Sequence, residues 1–119
     1  MSRIRVLLAD DLESILEQIG TVLGADFEIV GAVSNGEDAV VEAERLDPDV
    51  LVIDISMPVL DGLHAAAQLR ASNQHTKIVF LAGASGYVIK SDLTTDLVPA
   101  IREALRGHIY ISQSIAKQH

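Results

Sequence analysis

Apolar and polar positions follow two kinds of pattern along this chain, and the two patterns predict alternating strands and helices. Apolar runs with no polar face are typical of strands buried on both sides of a parallel sheet. Such a run occupies residues 50–55, and apolar runs at 4–9, 27–33, 77–81 and 87–90 predict four further strands. Between them, apolar residues recur at three- and four-residue steps, which is the period of an amphipathic helix. These stretches predict helices over residues 12–23, 35–46, 63–72 and about 95–106.

Residues suited to helix ends support these boundaries. Ser34 or Asn35 can cap the second helix, because a short polar side chain accepts hydrogen bonds from the free N–H groups of the first turn. Pro99 restricts where the last helix starts. We expect that helix to begin near Thr95 or Asp96, because Pro99 then falls in the first turn, where its missing N–H costs little.

Four charged residues stand at the ends of predicted strands. Asp10 and Asp11 follow the first strand, Asp54 comes at the end of the third, and Lys90 ends the fifth. Strands that alternate with helices form a parallel sheet with both faces covered, and ligands of such sheets bind at the carboxyl ends of the strands. We therefore expect these four side chains at one edge of one sheet.

Carboxylates that converge in this way repel one another unless a cation lies between them. Hard oxygen ligands suit Mg²⁺, which is often shared with a phosphate, and a lysine supplies a compact positive charge for a phosphoryl oxygen. An aspartate can also act as a nucleophile and form an aspartyl-phosphate. Taken alone, Asp10 and Asp11 suit a helix N-cap pair and Lys90 a solvated strand end. Their convergence with Asp54 favours a phosphoryl-transfer site.

Length and composition narrow the class of protein. The 119 residues predict one domain, 1–119, with an aliphatic core, because 49% are hydrophobic but only 3% are aromatic. The absence of cysteine excludes disulfides and thiolate zinc sites. A net charge of −8 argues against binding of nucleic acid or an anionic membrane by this domain. With no signal-peptide pattern and no apolar run of membrane-spanning length, we expect a cytoplasmic protein. The four histidines lack metal-ligand spacing: His64, His75, His108 and His119.

Three motifs resemble the receiver domain of bacterial two-component response regulators. They are Ala9-Asp10-Asp11, the run from Val52 to Pro58 with Asp61-Gly62, and the run from Gly83 to Lys90. The last motif, together with residues 100–107 and 110–112, resembles the NarL/LuxR-type subfamily, whose output is a helix-turn-helix DNA-binding domain. The tail 108–119 is too short for such a domain, so we expect a stand-alone or truncated receiver.

The resemblance implies a flavodoxin-like α/β fold, a doubly wound parallel sheet of strand order 2-1-3-4-5. It implies a sensor histidine kinase as partner and Mg²⁺ as cofactor. It also assigns roles to residues: Asp54 is the phosphoacceptor, Lys90 contacts the phosphoryl group, Tyr87 matches an aromatic switch position, and the metal ligands are Asp10, Asp11, Asp54 and the backbone carbonyl of Ser56.

The chain departs from the family between its fourth and fifth strands. The family has a fourth helix there, whereas this chain has a short hinge at 82–86, and Ala82 stands where the family has a Thr or Ser switch hydroxyl. Adjacent parallel strands need a crossover of about a dozen residues or more, so four residues suit only a hairpin.

Three outcomes of this short connection are open. The fifth strand can fold back antiparallel, which would leave Lys90 on the order of 13 Å from the active edge. The fifth strand and last helix can instead exchange with a partner chain, so that Lys90 serves the partner's site in trans. The third outcome is a broken fold. We expect the exchanged homodimer, because the apolar patterns of the strand and helix are intact.

Two classes of function follow from the residues. The first is a receiver that accepts a phosphoryl group on Asp54 with Mg²⁺ and changes its affinity for a partner. The second is a pseudo-receiver, a dimerisation or scaffold module that works without phosphorylation, which the missing helix and Ala82 favour. We do not expect a free-standing enzyme, because such a domain transfers the phosphoryl group only to itself.

Overall fold

The structure is a computed structural model that describes residues 3–73, 75–82 and 88–107. Strands and helices alternate along these residues. The strands are β1 (Ile4–Ala9), β2 (Phe27–Val33), β3 (Val50–Asp54), β4 (Lys77–Ala82) and β5 (Val88–Ile89). The helices are α1 (Glu13–Leu23), α2 (Gly36–Leu46), α3 (Gly62–Ser72) and α4 (Leu93–Leu105), with short 3-10 turns at Gly24–Asp26 and Lys90–Asp92.

All the described strand pairs are parallel, and the sheet has the order β2-β1-β3-β4-β5. This order confirms the predicted doubly wound fold. The central strand β3 is buried along its whole length, which explains why its first four residues, Val50 to Ile53, are all apolar. The predicted bounds of β1 and β2 are confirmed, and Asn35 caps α2 by accepting a 2.8 Å hydrogen bond from the N–H of Asp38.

Helices cover both faces of the sheet and divide the core into two apolar clusters. On one face α1 and α4 pack over residues that include Val6, Val52 and Leu81. On the other face α2 and α3 pack over residues that include Leu7, Leu51 and Ile53. Because neighbouring residues of a strand point to opposite faces, the two clusters take alternate positions of the same strands. No helix in the described part of the chain has the length and apolarity to cross a membrane.

The pairing of β5 corrects our expectation for the short connection. Val88 lies beside Leu81 and Ile89 beside Ala82, in parallel and within one chain, so the antiparallel hairpin is wrong. We expected four residues to be too few for a parallel crossover to a fifth strand over 87–90. The fifth strand has only two described residues, Val88 and Ile89, and they pair with the last two residues of β4. Val88 therefore lies only one strand position back from Ala82, where β4 ends. Exchange between chains is therefore not required to complete the sheet, and it remains a prediction.

The last helix begins earlier than predicted. Its first residue is Leu93, so Pro99 lies inside the helix and not in the first turn. Pro99 cannot donate to the carbonyl of Thr95, four residues before it. Both residues are exposed, so water can replace the lost hydrogen bond at little cost. Burial of Leu97, Ala100 and Ile101 against the sheet holds the helix despite the proline.

Candidate functional site

The ends of two adjacent central strands bring three carboxylates together. Asp10 and Asp11 follow β1, Asp54 is the last residue of β3, and the two strands pair up to Ala9 beside Ile53. One carboxylate oxygen from each of the three aspartates lies within 4.8 Å of the others. Asp10 and Asp54 are buried, whereas Asp11 is exposed. The sequence analysis predicted this convergence from the position of the three aspartates at the carboxyl ends of strands.

Asp10 is held in an environment that disfavours its charge. Burial raises the pKa of its carboxyl group and the nearby Asp54 carboxylate adds to this, although a hydrogen bond from the N–H of Leu12 and the nearby Lys90 act in the opposite direction. The Leu12 bond, 2.9 Å to Oδ1, turns the carboxylate towards the loop before α1. The other oxygen, Oδ2, is buried and receives no hydrogen bond among the described residues.

Lys90 lies against both buried carboxylates of its own chain. Its Nζ donates a 2.9 Å hydrogen bond to Asp54 Oδ2 and lies 3.0 Å from Asp10 Oδ2. The contact with Asp10 is an ion pair that lacks hydrogen-bond geometry. Burial opposes the charged ammonium, but the hydrogen bond to Asp54 and the contact with Asp10 outweigh it and raise the pKa of Lys90. The lysine thus reaches the site in cis.

The donor set fits a hard divalent cation. Three carboxylates supply oxygen ligands within 4.8 Å of one another, and the buried Oδ2 of Asp10 contacts Lys90 without receiving a hydrogen bond. An ion there would share Asp10 and Asp54 with the ammonium of Lys90. The described histidines are elsewhere: His64 contacts Asp61 at 2.7 Å, and His75 contacts Asp47 at 3.1 Å.

A tight loop leads from Asp54 to α3. The N–H of Ser56 donates to Asp54 Oδ1 at 3.1 Å, and the N–H of Gly62 returns to the carbonyl of Ile55 at 2.8 Å. In the middle, the N–H of Leu60 donates to the carbonyl of Pro58 at 2.8 Å across the intervening Val59. This three-residue turn holds Val59 at a φ of 69°. Val59 is also 76% exposed.

Asp61 and Gly62 stand at the start of α3. Asp61 caps the helix by accepting a 2.9 Å hydrogen bond from the N–H of His64. A β-carbon on Gly62 would overlap the carbonyl oxygen of Asp54 and lie 2.9 Å from its carbonyl carbon. Glycine therefore allows the helix to start directly against the backbone of Asp54.

Of the remaining predicted site residues, the structure describes Ser56 and Ala82. Ser56 is exposed and lies in the loop beside Asp54. Ala82 is buried at the end of β4, one position beyond Leu81, which pairs with Asp54. Tyr87, most of the 82–86 hinge and the tail 108–119 fall outside the described residues.

The sequence analysis overlooked Gly36. It is buried at the start of α2, and a β-carbon there would overlap the carbonyl oxygen of Leu60. The Asn35-Gly36 pair was a detectable signal, but we interpreted that region only as a helix cap. No sequence pattern indicates which distant part of the chain a glycine will contact.

Comparison with known proteins agrees with this geometry. Residues 6–95 match the family model described as the response regulator receiver domain. The chain is 36% identical to the uncharacterised transcriptional regulatory protein YxjL of Bacillus subtilis, over 88% of this chain and 56% of that protein. It is also 36% identical to the response regulator GacA of Pseudomonas aeruginosa, over 97% of this chain and 61% of GacA.

Comparison with solved structures also finds response regulators. A LuxR-family two-component response regulator from Aurantimonas superimposes with a TM-score of 0.86 at 26% identity, covering 98% of this chain and 94% of that chain.

The relatives differ from this chain in length. The chain spans little more than half of the curated relatives it matches, 56% of YxjL and 61% of GacA. The GacA match extends over 132 aligned positions, which exceeds the 119 residues here by 13, so GacA has at least that many residues that this chain lacks. The match to the family model covers most of the chain, from β1 into α4. This chain therefore belongs to the response regulator receiver domain family, and its similar proteins include regulators of the NarL/LuxR type.

Proposed function

We propose that this domain accepts a phosphoryl group on Asp54, with Mg²⁺ and Lys90 stabilising the charge of the transferred group. One observation carries the proposal. The buried carboxylate of Asp54 lies at a strand end with the Lys90 ammonium at 2.9 Å and with oxygens of Asp10 and Asp11 within 4.8 Å. A nucleophile, a cation site and a phosphate-binding amine are thus adjacent.

The transfer needs an ionised Asp54. A carboxylate oxygen attacks phosphorus, the bond from phosphorus to the donor breaks, and the leaving group keeps its electron pair and takes a proton from solvent. Asp10, Asp11, Asp54 and the carbonyl of Ser56 would hold Mg²⁺, which supplies positive charge to the phosphoryl oxygens. Lys90 turns its ammonium from the Asp54 carboxylate to a phosphoryl oxygen, a short movement because Nζ already contacts that side chain.

The partners follow from the family. We infer that the phosphoryl donor is a sensor histidine kinase, and that this domain itself does not bind nucleic acid, given its net charge of −8. A cytoplasmic location is consistent with such a donor. Exchange of β5 and α4 in a homodimer remains compatible with the fold, but the cis contact of Lys90 means that phosphorylation does not depend on it.

A second function has a specific observation in its favour. Ala82, where the family has a hydroxyl, is a buried side chain without a polar atom, and only five residues join it to Val88. So short a connection has no room for a helix of the family's kind. The usual relay from phosphoryl group to surface is therefore incomplete, which favours a module that binds a partner without phosphorylation.

A phosphoryl mimic distinguishes the two functions. Titration with Mg²⁺ and beryllofluoride, followed by amide NMR, should shift the signals of Ser56 and Lys90 in the wild type. Asp54→Asn should abolish the response to beryllofluoride. If the wild type shows no Mg²⁺-dependent change, the phosphoacceptor function is wrong and the scaffold function is favoured.

A further inference from the structure

Gly36 packs against the loop that follows Asp54, although it lies on a different helix. It is the first residue of α2, and its missing side chain allows the backbone to touch Leu60. A β-carbon on Gly36 would overlap the Leu60 carbonyl oxygen and lie 2.7 Å from the carbonyl carbon. Both atoms are backbone, so no side-chain rotation relieves the overlap.

The Leu60 peptide is tied to the rest of the loop. Its N–H donates to the carbonyl of Pro58, and the loop closes where the N–H of Gly62 donates to the carbonyl of Ile55, both at 2.8 Å. Ser56 lies between these points and donates its N–H to Asp54 Oδ1 at 3.1 Å. A displacement of Leu60 is therefore transmitted towards Ser56 and the Asp54 carboxylate.

We propose that Gly36 is a positioning residue for the phosphoacceptor site: by contact with Leu60 it holds the 55–61 loop where Ser56 and Asp54 bind a shared cation. This inference rests on the proposed function for its metal-dependent part. Gly36 has no side chain with which to bind the cation. Its effect comes from the absence of a β-carbon at one point of close backbone approach.

The size of the expected effect follows from the overlap. A β-carbon must move the Leu60 backbone by about an ångström, whereas binding constellations tolerate deviations of only about 0.5 Å. Misplacement by about 1 Å can reduce activity about a hundredfold. We therefore expect Gly36→Ala to weaken Mg²⁺ binding by at least about tenfold, because one of several ligands is displaced.

The contact also predicts the reverse effect, because coupling between two sites is reciprocal. A cation that fixes Ser56 and Asp54 should restrain Leu60, and through it the first turn of α2. That turn includes the N–H of Ala39, which donates to the carbonyl of Asn35 at 3.1 Å. Mg²⁺ should slow hydrogen exchange at Ala39 in the wild type, with little change at Ala104 near the end of α4.

The chain offers a matched control for the substitution. Gly20 lies inside α1, and a β-carbon there would meet only Ile29 Cδ1 at 3.7 Å, an ordinary contact. Gly20→Ala makes the same chemical change without a backbone overlap. Ile19→Val, in the cluster on the opposite face of the sheet, controls for a general loss of stability.

The experiment has a metal-free and a metal-dependent readout. Amide NMR without Mg²⁺ should show shifts at Ser56, Leu60 and Gly62 in Gly36→Ala but not in Gly20→Ala or Ile19→Val. Titration with Mg²⁺ alone should then show the tenfold weakening in Gly36→Ala only, under conditions where every variant is folded.

The outcomes separate the two proposals. Unchanged loop signals in Gly36→Ala would overturn the positioning role while leaving the phosphoacceptor function intact. Shifted loop signals in a protein whose wild type does not bind Mg²⁺ would keep the positioning role and remove the proposed function. If Gly36→Ala does not fold, the wild-type hydrogen exchange decides: no protection of Ala39 by bound Mg²⁺ contradicts the coupling.

Discussion

Lys90 and Asp54 are 36 positions apart, yet a 2.9 Å hydrogen bond from Nζ to Oδ2 joins them within a single chain. The contact depends on the parallel placement of β5, whose last residue, Ile89, directly precedes the lysine. A two-residue strand is thus enough to deliver the ammonium to the carboxylate edge. A single chain therefore supplies all four charged groups that were predicted for the site.

Complementation between variants tests this arrangement. We expect Lys90→Ala to lower phosphorylation by a small-molecule donor by roughly a hundredfold or more, because it removes a charge that stabilises the transition state. Asp54→Asn should not be phosphorylated at all. When the two variants are unfolded together and refolded as a mixture, activity should stay at the level of Lys90→Ala alone, because a cis site needs both residues in one chain.

Intact-mass spectrometry measures the phosphorylated fraction of each chain. Wild type carried through the same refolding is the control. Recovery of phosphorylation in the mixture would show that β5 and α4 exchange between chains, with Lys90 acting in trans on its partner.

Asp10 is predicted to reduce stability at neutral pH. Its folded-state pKa is raised above 3.8, chiefly by burial, so the folded protein binds more protons than the unfolded one between 3.8 and the raised value. Stability from this group therefore falls as pH rises through that window. Asp10→Asn should raise the free energy of unfolding at pH 7 by roughly 0.5–2 kcal/mol, the usual range for single stabilising substitutions.

Urea unfolding at several pH values checks this, taken as the difference between wild type and Asp10→Asn. The difference should shrink towards pH 4 and below. The same variant should lose the stabilisation that Mg²⁺ gives the wild type, about 2.7 kcal/mol at a hundred times the dissociation constant. A variant that is less stable than wild type at pH 7 would contradict the prediction.

Periodicity was enough to predict most of the fold. The strand bounds of β1 and β2 follow from apolar runs that alternate with amphipathic stretches, whereas the order of the sheet was implied by the resemblance to receiver domains. The convergence of Asp10, Asp11 and Asp54 also followed, because the carboxyl ends of parallel strands share one edge. Lys90 was expected at the same edge but from a partner chain, whereas it contacts Asp54 of its own chain. These features depend on local pattern and on rules of topology.

Features that depend on strand length or distant contacts were not predictable in the same way. The connection before β5 was judged too short because a parallel crossover was expected to need about a dozen residues, yet Val88–Ile89 pairs in parallel with the end of β4. The early start of α4 was missed because tertiary burial outweighs the local cost of Pro99. The contact of Gly36 with Leu60 joins backbones 24 positions apart, and no sequence period encodes it.

The strained turn after Asp54 gives a third prediction. Val59 has a φ of 69°, which is unfavourable for a β-branched side chain, and its exposed side chain gains little from packing. Val59→Gly should raise the free energy of unfolding by about 1 kcal/mol, because relief of 1–3 kcal/mol of strain exceeds the entropy cost of glycine. The measurement is urea unfolding at constant pH.

A matched control for this change is Val41→Gly. Val41 is 56% exposed but lies inside α2, so the same substitution there should lower stability by up to about 1 kcal/mol. Equal destabilisation at both positions would show that the turn at Val59 is not strained.

Asn73 ties together the loops at the edge of the sheet opposite the carboxylates. Its side chain donates to Asp47 Oδ1 at 3.0 Å and accepts from the N–H groups of His75 at 2.8 Å and Thr76 at 3.2 Å. Thr76 is buried and its hydroxyl donates to the carbonyl of Pro48 at 2.7 Å. Asn73→Ala should lower the free energy of unfolding by about 1–2 kcal/mol, because it removes several hydrogen bonds, including the one donated by the N–H of the buried Thr76.

The same substitution should change the response to acid. The hydrogen bond from Asn73, followed by the one from His75, lowers the pKa of Asp47 below 3.8 in the folded protein. Asp47 therefore contributes stability that is present above pH 3.8 and is lost as pH falls through the lowered value. Unfolding curves between pH 2.5 and 7 should show a smaller loss on acidification in Asn73→Ala than in wild type. Gln68→Ala, at an exposed position of α3, is the control and should follow the wild type. An unchanged acid response in Asn73→Ala would mean that the Asn73–Asp47 hydrogen bond does not persist in solution.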